Sequence, residues 1–475
     1  MNKIKSFYNP AYFGSQAKET AEMLTKYLES VLSNDGTYAA LPDLDPNELE
    51  EKYSRILVER TGLNKLMQEV LKDSNHLHHP GYIGHQCTAA NPLAAVSAMA
   101  GALLNNGSAV YEMGPANVAM ERSVAKFFAK EFGYPENADG LFTSGGSLGN
   151  LTALLAARQR SAPYDIWEEG LRAEDHPVVL VSEGSHYSIA RSIKIMGMGE
   201  KAVLSVPVDK EFKMRIDLLE DIYKEQISSG KRIMALVSAA CSTATGGYDD
   251  LDAITDFCEK HNIWHHVDAA HGGPAILSEK YKQYLNGAHR ADSIVMDFHK
   301  MMMTPGLNTL ILFRNENDSY ATFAQKASYL LNSNDDKDWY NFAKRTMECT
   351  KSMMGLNVFT QLAIGGKELF AENIDRLFDQ ARILAELCRS TSDIELAVEP
   401  EANIVCFRYT SSDPGNTDQI NLKIREEILK RGDFYIVQTV LNGKQYLRVS
   451  VMNPFTEKND FENLLNQVLQ IGRSQ

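Results

Sequence analysis

Two short runs constrain this chain more than any others. They are Ile263-Trp264-His265-His266-Val267-Asp268-Ala269-Ala270-His271-Gly272-Gly273 and Ser293-Ile294-Val295-Met296-Asp297-Phe298-His299-Lys300. Each is an apolar stretch of strand length running into a polar end, as a buried strand of a parallel sheet reads. The first delivers an aspartate beside small residues; the second delivers a lysine after a histidine. In α/β folds, reactive groups collect in the crevice at the carboxyl ends of such strands. An Asp and a Lys brought there suit pyridoxal 5′-phosphate (PLP): a lysine holds its aldehyde covalently and a carboxylate pairs with its protonated pyridine nitrogen. Taken alone, the pattern also fits a buried Asp268–Lys300 ion pair, or a surface lysine after an edge strand.

The chain ahead of these runs is helical and then rich in glycine. Ala17, Ala21, Leu24, Leu28 and Leu32 recur at helical spacing until Ser33-Asn34-Asp35-Gly36, and a second helix is expected over 48–72. Residues 79–88 form a loop dense in hydrogen-bonding side chains, and helices are expected over 91–104 and 115–132. Gly140-Leu141-Phe142-Thr143-Ser144-Gly145-Gly146-Ser147-Leu148-Gly149-Asn150 then opens into a helix over 151–158. Such a turn offers backbone N–H groups and the positive helix end to a phosphate, with Ser147 adding a hydroxyl. A tight strand–helix connection alone would also explain the glycines. The turn is not Gly-x-x-x-x-Gly-Lys-Ser/Thr, which disfavours a nucleotide-triphosphate loop.

Beyond it, apolar runs alternate with helices, and strands are expected over 178–181, 201–206, 233–239, 263–267, 293–296 and 309–313. Ser182-Glu183-Gly184-Ser185-His186-Tyr187-Ser188 follows the first, and Ser242-Thr243-Ala244-Thr245 follows the third. One sheet edge therefore gathers the polar loops. Residues 329–344 read as an exposed mobile loop, 357–389 as a long helix, and 404–409 as a strand. A hairpin over 434–440 and 445–451 turns at Asn442-Gly443, and a helix closes the chain over 460–471. Three regions are expected: a helical arm over 1–85 suited to wrapping a partner, a large α/β domain over 86–356, and a small α+β domain over 357–475.

A net charge of -14 leaves no basic face for nucleic acid. No apolar run approaches the length of a membrane helix, and Met1-Asn2-Lys3-Ile4-Lys5 lacks the apolar core of a signal peptide. The six cysteines show no CxxC spacing, so a reducing cytoplasm is expected, without disulfides or zinc. The cluster His76, His78, His79 and His85 is broken by Pro80-Gly81 and lacks a helical pair with an acidic partner, so no metal is expected there.

Together these residues closely resemble the group II PLP-dependent amino-acid decarboxylases, which include the glutamate, aromatic amino acid, 2,4-diaminobutyrate and cysteine sulfinate decarboxylases. The resemblance runs from about His79 to Pro454, and its most specific piece is His266-Val267-Asp268-Ala269-Ala270 followed by Asp297-Phe298-His299-Lys300. It implies the type I (aspartate aminotransferase-like) α/β fold with a helical N-terminal arm and a small α+β C-terminal domain. It also implies PLP as cofactor and a homodimer with active sites at the interface. By the same resemblance Lys300 holds PLP, Asp268 keeps the pyridine nitrogen protonated, Ala270 packs under the ring and His186 stacks over it. Gly146 and Ser147 bind the phosphate with His299 nearby, and Thr243 lies close to the cofactor. Tyr340 matches the loop tyrosine that returns a proton to the substrate carbon. Arg448 matches the arginine that holds the substrate carboxylate, a task suited to its bidentate fork. Three positions depart from the common pattern. Asp297 stands where many relatives have asparagine, Lys351 stands where arginine is common, and Gly84-His85-Gln86-Cys87 lacks the aromatic pair of the aromatic amino acid decarboxylases.

The implied activity is decarboxylation of an L-amino acid to its amine and CO2. His85 and Gln86 can hydrogen-bond a polar substrate end, which favours the glutamate, aspartate or 2,4-diaminobutyrate class. Three alternatives are an aldehyde synthase that consumes O2, an aminotransferase, and a dimeric scaffold without turnover. Tyr340, His186, and the retention of both Lys300 and Asp268 speak against them in that order.

Overall fold

The computed structural model describes residues 3–323, 339–411 and 414–475. The chain forms two compact units. One comprises Met1–His85, Gln380–Glu399 and Val405–Gln475; the other comprises Gln86–Asp379 and Pro400–Ile404.

The larger unit is built on a seven-stranded sheet of β1 (Asp139–Thr143), β2 (Pro177–Ser182), β3 (Val203–Val206), β4 (Arg232–Ala239), β5 (Trp264–Asp268), β6 (Ser293–Asp297) and β7 (Thr309–Phe313). Their spatial order is β1-β7-β6-β5-β4-β2-β3. Strands β3, β2, β4, β5 and β6 pair in parallel, whereas β7 runs antiparallel to both its neighbours. The apolar runs are continuous because both faces are covered. Val179, Val181, Ala235 and Val237 pack against Ala153, Leu154, Ile189 and Ile193 from the helices Gly146–Ser161 and Ser188–Ile195. Val178, Leu180, Ile233 and Leu236 face the other way, against Leu219, Ile254 and Phe257 from the helices Leu219–Ser228 and Leu251–His261. In β2 this is the period-two alternation of a strand with two buried faces; in β4 the register shifts between Ile233 and Ala235, so Ile233 and Leu236 share a face.

Most of the expected elements are present, and the differences have local causes. The 201–206 strand begins two residues later, after a short 3-10 turn over Glu200–Ala202. Strand β1 was not anticipated, because Asp139 and Gly140 are poor strand formers and adjoin a glycine-rich turn. Gly140 belongs there because a Cβ would come within 2.6 Å of the Ile311 carbonyl on β7. The helix expected over 48–72 is two helices, Pro46–Glu59 and Leu63–Lys72, broken where Arg60 takes φ 62°. The long helix runs over Met354–Ser390 with a kink at Gly366, so the expected 356/357 junction falls inside it.

The smaller unit carries a four-stranded sheet of β8 (Ile394–Leu396), β9 (Ile404–Tyr409), β10 (Val437–Leu441) and β11 (Lys444–Ser450), in the order β10-β11-β9-β8. Strands β10 and β11 form the expected hairpin, with Asn442 and Gly443 at φ 49° and 72°. Two positive φ values are what a two-residue turn between twisted strands requires. Of the loop expected over 329–344, residues 329–338 lie outside the described residues. From Trp339 onward the chain is anchored: Phe342 and Ala343 are buried, and Arg345 makes a fully buried ion pair with Asp139 at 2.9 Å. Among the described residues no helix is long and apolar enough to cross a membrane, and no group of three or more His, Cys, Asp or Glu could hold a metal ion.

Candidate active site

The loops after β1, β2, β4, β5 and β6 meet around one cavity of about 320 Å³. Gly146, Ser147, His186, Thr243, Asp268, Ala270, His299 and Lys300 all line it. The parallel register explains the convergence. Ala239 lies opposite Asp268, and Asp268 opposite Val295, so the polar segments leave adjacent strands at the same level.

Lys300 finds its charge partner close by. Its Nζ lies 2.9 Å from Oδ2 of Asp297, whose side chain is 3% exposed. Asp297 also accepts a hydrogen bond from Thr309 Oγ1. Burial opposes the charge on Lys300, but the Asp297 carboxylate outweighs it and holds the lysine above its ordinary range. Asp297 is held below its ordinary range despite burial, because Lys300 and His299 stabilise its charge. The ion pair is therefore Asp297–Lys300, which leaves the Asp268 carboxylate for another partner.

Asp268 is held by donors. Oδ1 accepts from the Ala270 N–H at 3.2 Å, and Oδ2 accepts from Asn150 Nδ2 at 3.0 Å. Asn150 Nδ2 donates also to Ser188 Oγ at 3.1 Å, and Ser188 Oγ lies 2.8 Å from Nδ1 of His186. The Ser188 backbone N–H points at that same Nδ1 at 3.3 Å, so Nδ1 is an acceptor and Nε2 carries the proton. Burial holds His186 below its ordinary pKa, which keeps the ring neutral at pH 7. Sequence reasoning missed Asn150, which it read as the end of a glycine-rich turn.

At the other side of the cavity the helix Gly146–Ser161 begins without a side-chain cap. Its N-cap, Gly145, has φ 127°, and nothing lies within 4 Å of where a Cβ would be. Ser185, also on the cavity wall, has a buried Oγ with no hydrogen-bond partner among the described residues. His299 Nδ1 is engaged with the Asn308 backbone at about 3 Å.

Four expected site residues are not among those lining this cavity. Tyr340 packs edge-on against Tyr111, with ring centroids 5.5 Å apart. Gln86 opens the larger unit and carries a buried Nε2 without a partner among the described residues. Arg448 and His85 belong to the smaller unit, where partial burial and the charges of Arg448 and Arg425 hold His85 below its ordinary pKa. Lys351, in place of the common arginine, makes a fully buried ion pair with Glu121.

Residues 49–410 match the family model described as the pyridoxal-dependent decarboxylase conserved domain. The chain belongs to that family. Among relatives of this pyridoxal-dependent decarboxylase, L-2,4-diaminobutyrate decarboxylase of Rhizobium meliloti (strain 1021) is 30% identical over 94% of this chain and 88% of its own. Aromatic-L-amino-acid decarboxylase of Bacillus atrophaeus is 28% identical over 86% of this chain and 84% of its own. A crystal structure of the glutamate decarboxylase domain of a diaminobutyrate-pyruvate transaminase and L-2,4-diaminobutyrate decarboxylase from Vibrio parahaemolyticus superposes with a TM-score of 0.86. It is 28% identical and covers 98% of this chain and 96% of that chain. The decarboxylase thus has the expected type I fold, uses PLP and is a carboxy-lyase acting on an amino acid.

The donor set fits the cofactor. An amine suits its aldehyde, a carboxylate locked as an acceptor suits the N–H of its pyridinium, and an uncapped helix start with an orphaned serine hydroxyl suits its phosphate.

Proposed function

We propose that this decarboxylase removes the α-carboxyl group of a polar or acidic L-amino acid of the glutamate, aspartate or 2,4-diaminobutyrate class, giving the amine and CO2. The observation that carries the reading is the convergence of Lys300, Asp268 and His186 on one cavity beside an uncapped helix start. The polar preference draws on the orphaned Nε2 of Gln86, on His85, and on relatives named for diaminobutyrate and acidic amino acids. Bound PLP supplies an electron sink for the pair released when the carboxylate departs. Lys300 is assigned to hold the cofactor and Asp268 to accept its pyridine N–H. Ala270 and His186 are assigned to the two faces of the ring, and Thr243 to its edge. Gly146 and Ser147 would bind the phosphate through the helix start, with His299 beside them. Arg448 is assigned to the substrate carboxylate, and Tyr340 to the proton returned at the α-carbon. The working form in this reading is a cytoplasmic homodimer whose subunits complete each other's sites.

The test is to incubate the PLP-loaded protein with the common amino acids and 2,4-diaminobutyrate while following CO2, amine, aldehyde and oxygen. Amine equal to CO2 without oxygen uptake is expected from a polar substrate, and Lys300→Ala should lower turnover by about 10⁴-fold or more. Aldehyde with oxygen uptake, or an aromatic substrate turned over best, would refute the proposal. If Tyr340→Phe still forms only amine at an undiminished rate, the proton donor lies elsewhere.

A further inference from the structure

Behind Asp268 a line of buried polar groups runs along the face of the sheet that the helix Gly146–Ser161 covers. Trp264 Nε1 donates to Ser293 Oγ at 2.9 Å, Ser293 Oγ lies 2.9 Å from His266 Nδ1, and His266 Nε2 lies 2.9 Å from Asn150 Oδ1. Asn150 Nδ2 then reaches Asp268 at 3.0 Å. His266 and Ser293 are fully buried, Asn150 is 1% exposed and Trp264 4%, so bulk water has little access to these partners.

The two ends of the line have fixed polarity, and they dictate everything between. An ionised carboxylate can only accept, so the Asn150 group facing it is the NH2 and the group facing His266 is the carbonyl oxygen. That oxygen can only accept, so Nε2 of His266 carries the proton. A neutral imidazole protonated at Nε2 can only accept at Nδ1, so Ser293 Oγ, which accepts the indole N–H of Trp264, gives its own hydrogen to Nδ1. Each hydrogen bond thus points toward Asp268, and neutral His266 is locked in one tautomer. Burial, opposed by the charge of Asp268, pushes the imidazole down to about 4, so it stays neutral across the working range. The second hydrogen of Asn150 goes to Ser188 and so orients His186 as well.

We propose that His266, acting through Asn150, is a positioning residue that fixes the Asp268 carboxylate for the pyridine nitrogen of the cofactor and couples it to the ring that faces His186. This rests on the assignment of Asp268 to that nitrogen. Neither His266 nor Asn150 exchanges a proton with the substrate; their contribution is to hold one rotamer and one amide orientation. Buried polar chains of this kind are costly when one member is missing.

The test uses PLP labelled with 15N in its ring, bound to the full-length protein, and reads the ring-nitrogen shift together with the PLP dissociation constant. In His266→Phe and Asn150→Leu the nitrogen signal should move toward the unprotonated position and PLP should bind roughly tenfold more weakly. His266→Gln, whose amide can still donate toward Asn150, should recover most of both. Asp268→Asn separates the two claims. If it leaves the nitrogen signal unchanged, the assignment of Asp268 fails. If it moves the signal while His266→Phe and Asn150→Leu do not, the positioning chain alone is overturned. Should a variant fail to fold, 15N-histidine spectra of the unmodified protein decide: a neutral His266 protonated at Nε2 is expected, and protonation at Nδ1 or on both nitrogens overturns the proposal.

Discussion

Lys300 stands three positions after the carboxylate that neutralises it, and that closeness sets the protonation state in which the amine waits. To attack an aldehyde, Lys300 must first lose its proton. Asp297 raises the pH at which it does so. Capture of PLP by the cofactor-free protein should therefore quicken as pH rises toward the lysine's pKa. Asp297→Asn removes the charge and leaves burial, which favours the neutral amine, so the profile should move to lower pH. Capture at neutral pH would then gain about tenfold for each unit of displacement. Stopped-flow absorbance across pH checks this, and a profile that stays put or moves upward refutes it. The meeting of Lys300 and Asp268 at one cavity was readable in advance, because charged groups at the ends of buried parallel strands gather in one crevice. Asn150 and His266 were not, since an asparagine after glycines and a histidine in an apolar strand carry no signal of which way their hydrogen bonds point.

Among the elements, β1 and the segment after residue 339 depend on each other. Glu121, on the helix Pro115–Glu131, accepts from the Phe142 N–H of β1 at 2.8 Å and pairs with Lys351. Asp139 of β1 pairs with Arg345. Both Lys351 and Glu121 have 0% side-chain exposure, so losing one partner strands a charge in the interior. Lys351→Met should cost about 3–5 kcal/mol in urea unfolding, and adding Glu121→Gln should recover a large part of it. A single variant within about 1 kcal/mol of the parent would show that Glu121 is satisfied without the lysine. The strands that sequence patterning found have apolar runs, or alternate beside a clear turn signal as in the Asn442-Gly443 hairpin. Strand β1 escaped because what holds it, the β7 backbone and two ion pairs, lies far away along the chain.

For the molecule as a whole, the helix Pro92–Leu104 presents Leu93, Val96, Met99, Leu103 and Leu104 to the outside, each more than half exposed. An exposed apolar row of that kind calls for a cover, and the proposed second copy would supply it. Val96→Asp with Leu103→Asp should shift sedimentation from twice the chain mass to the single mass, with loss of turnover. A variant that still sediments as a dimer places the interface on another face. The sequence patterning here showed an apolar helix; only the fold shows that the described residues leave this row exposed.

Strand β1 lies at the sheet edge, paired with β7, although the two stand at opposite ends of the sheet's stretch of sequence. A ribosome therefore releases the glycine turn early and its supporting strand late. Until Thr309–Phe313 emerges, β1 has no strand beside it, and the closure entropy of that long span is met late.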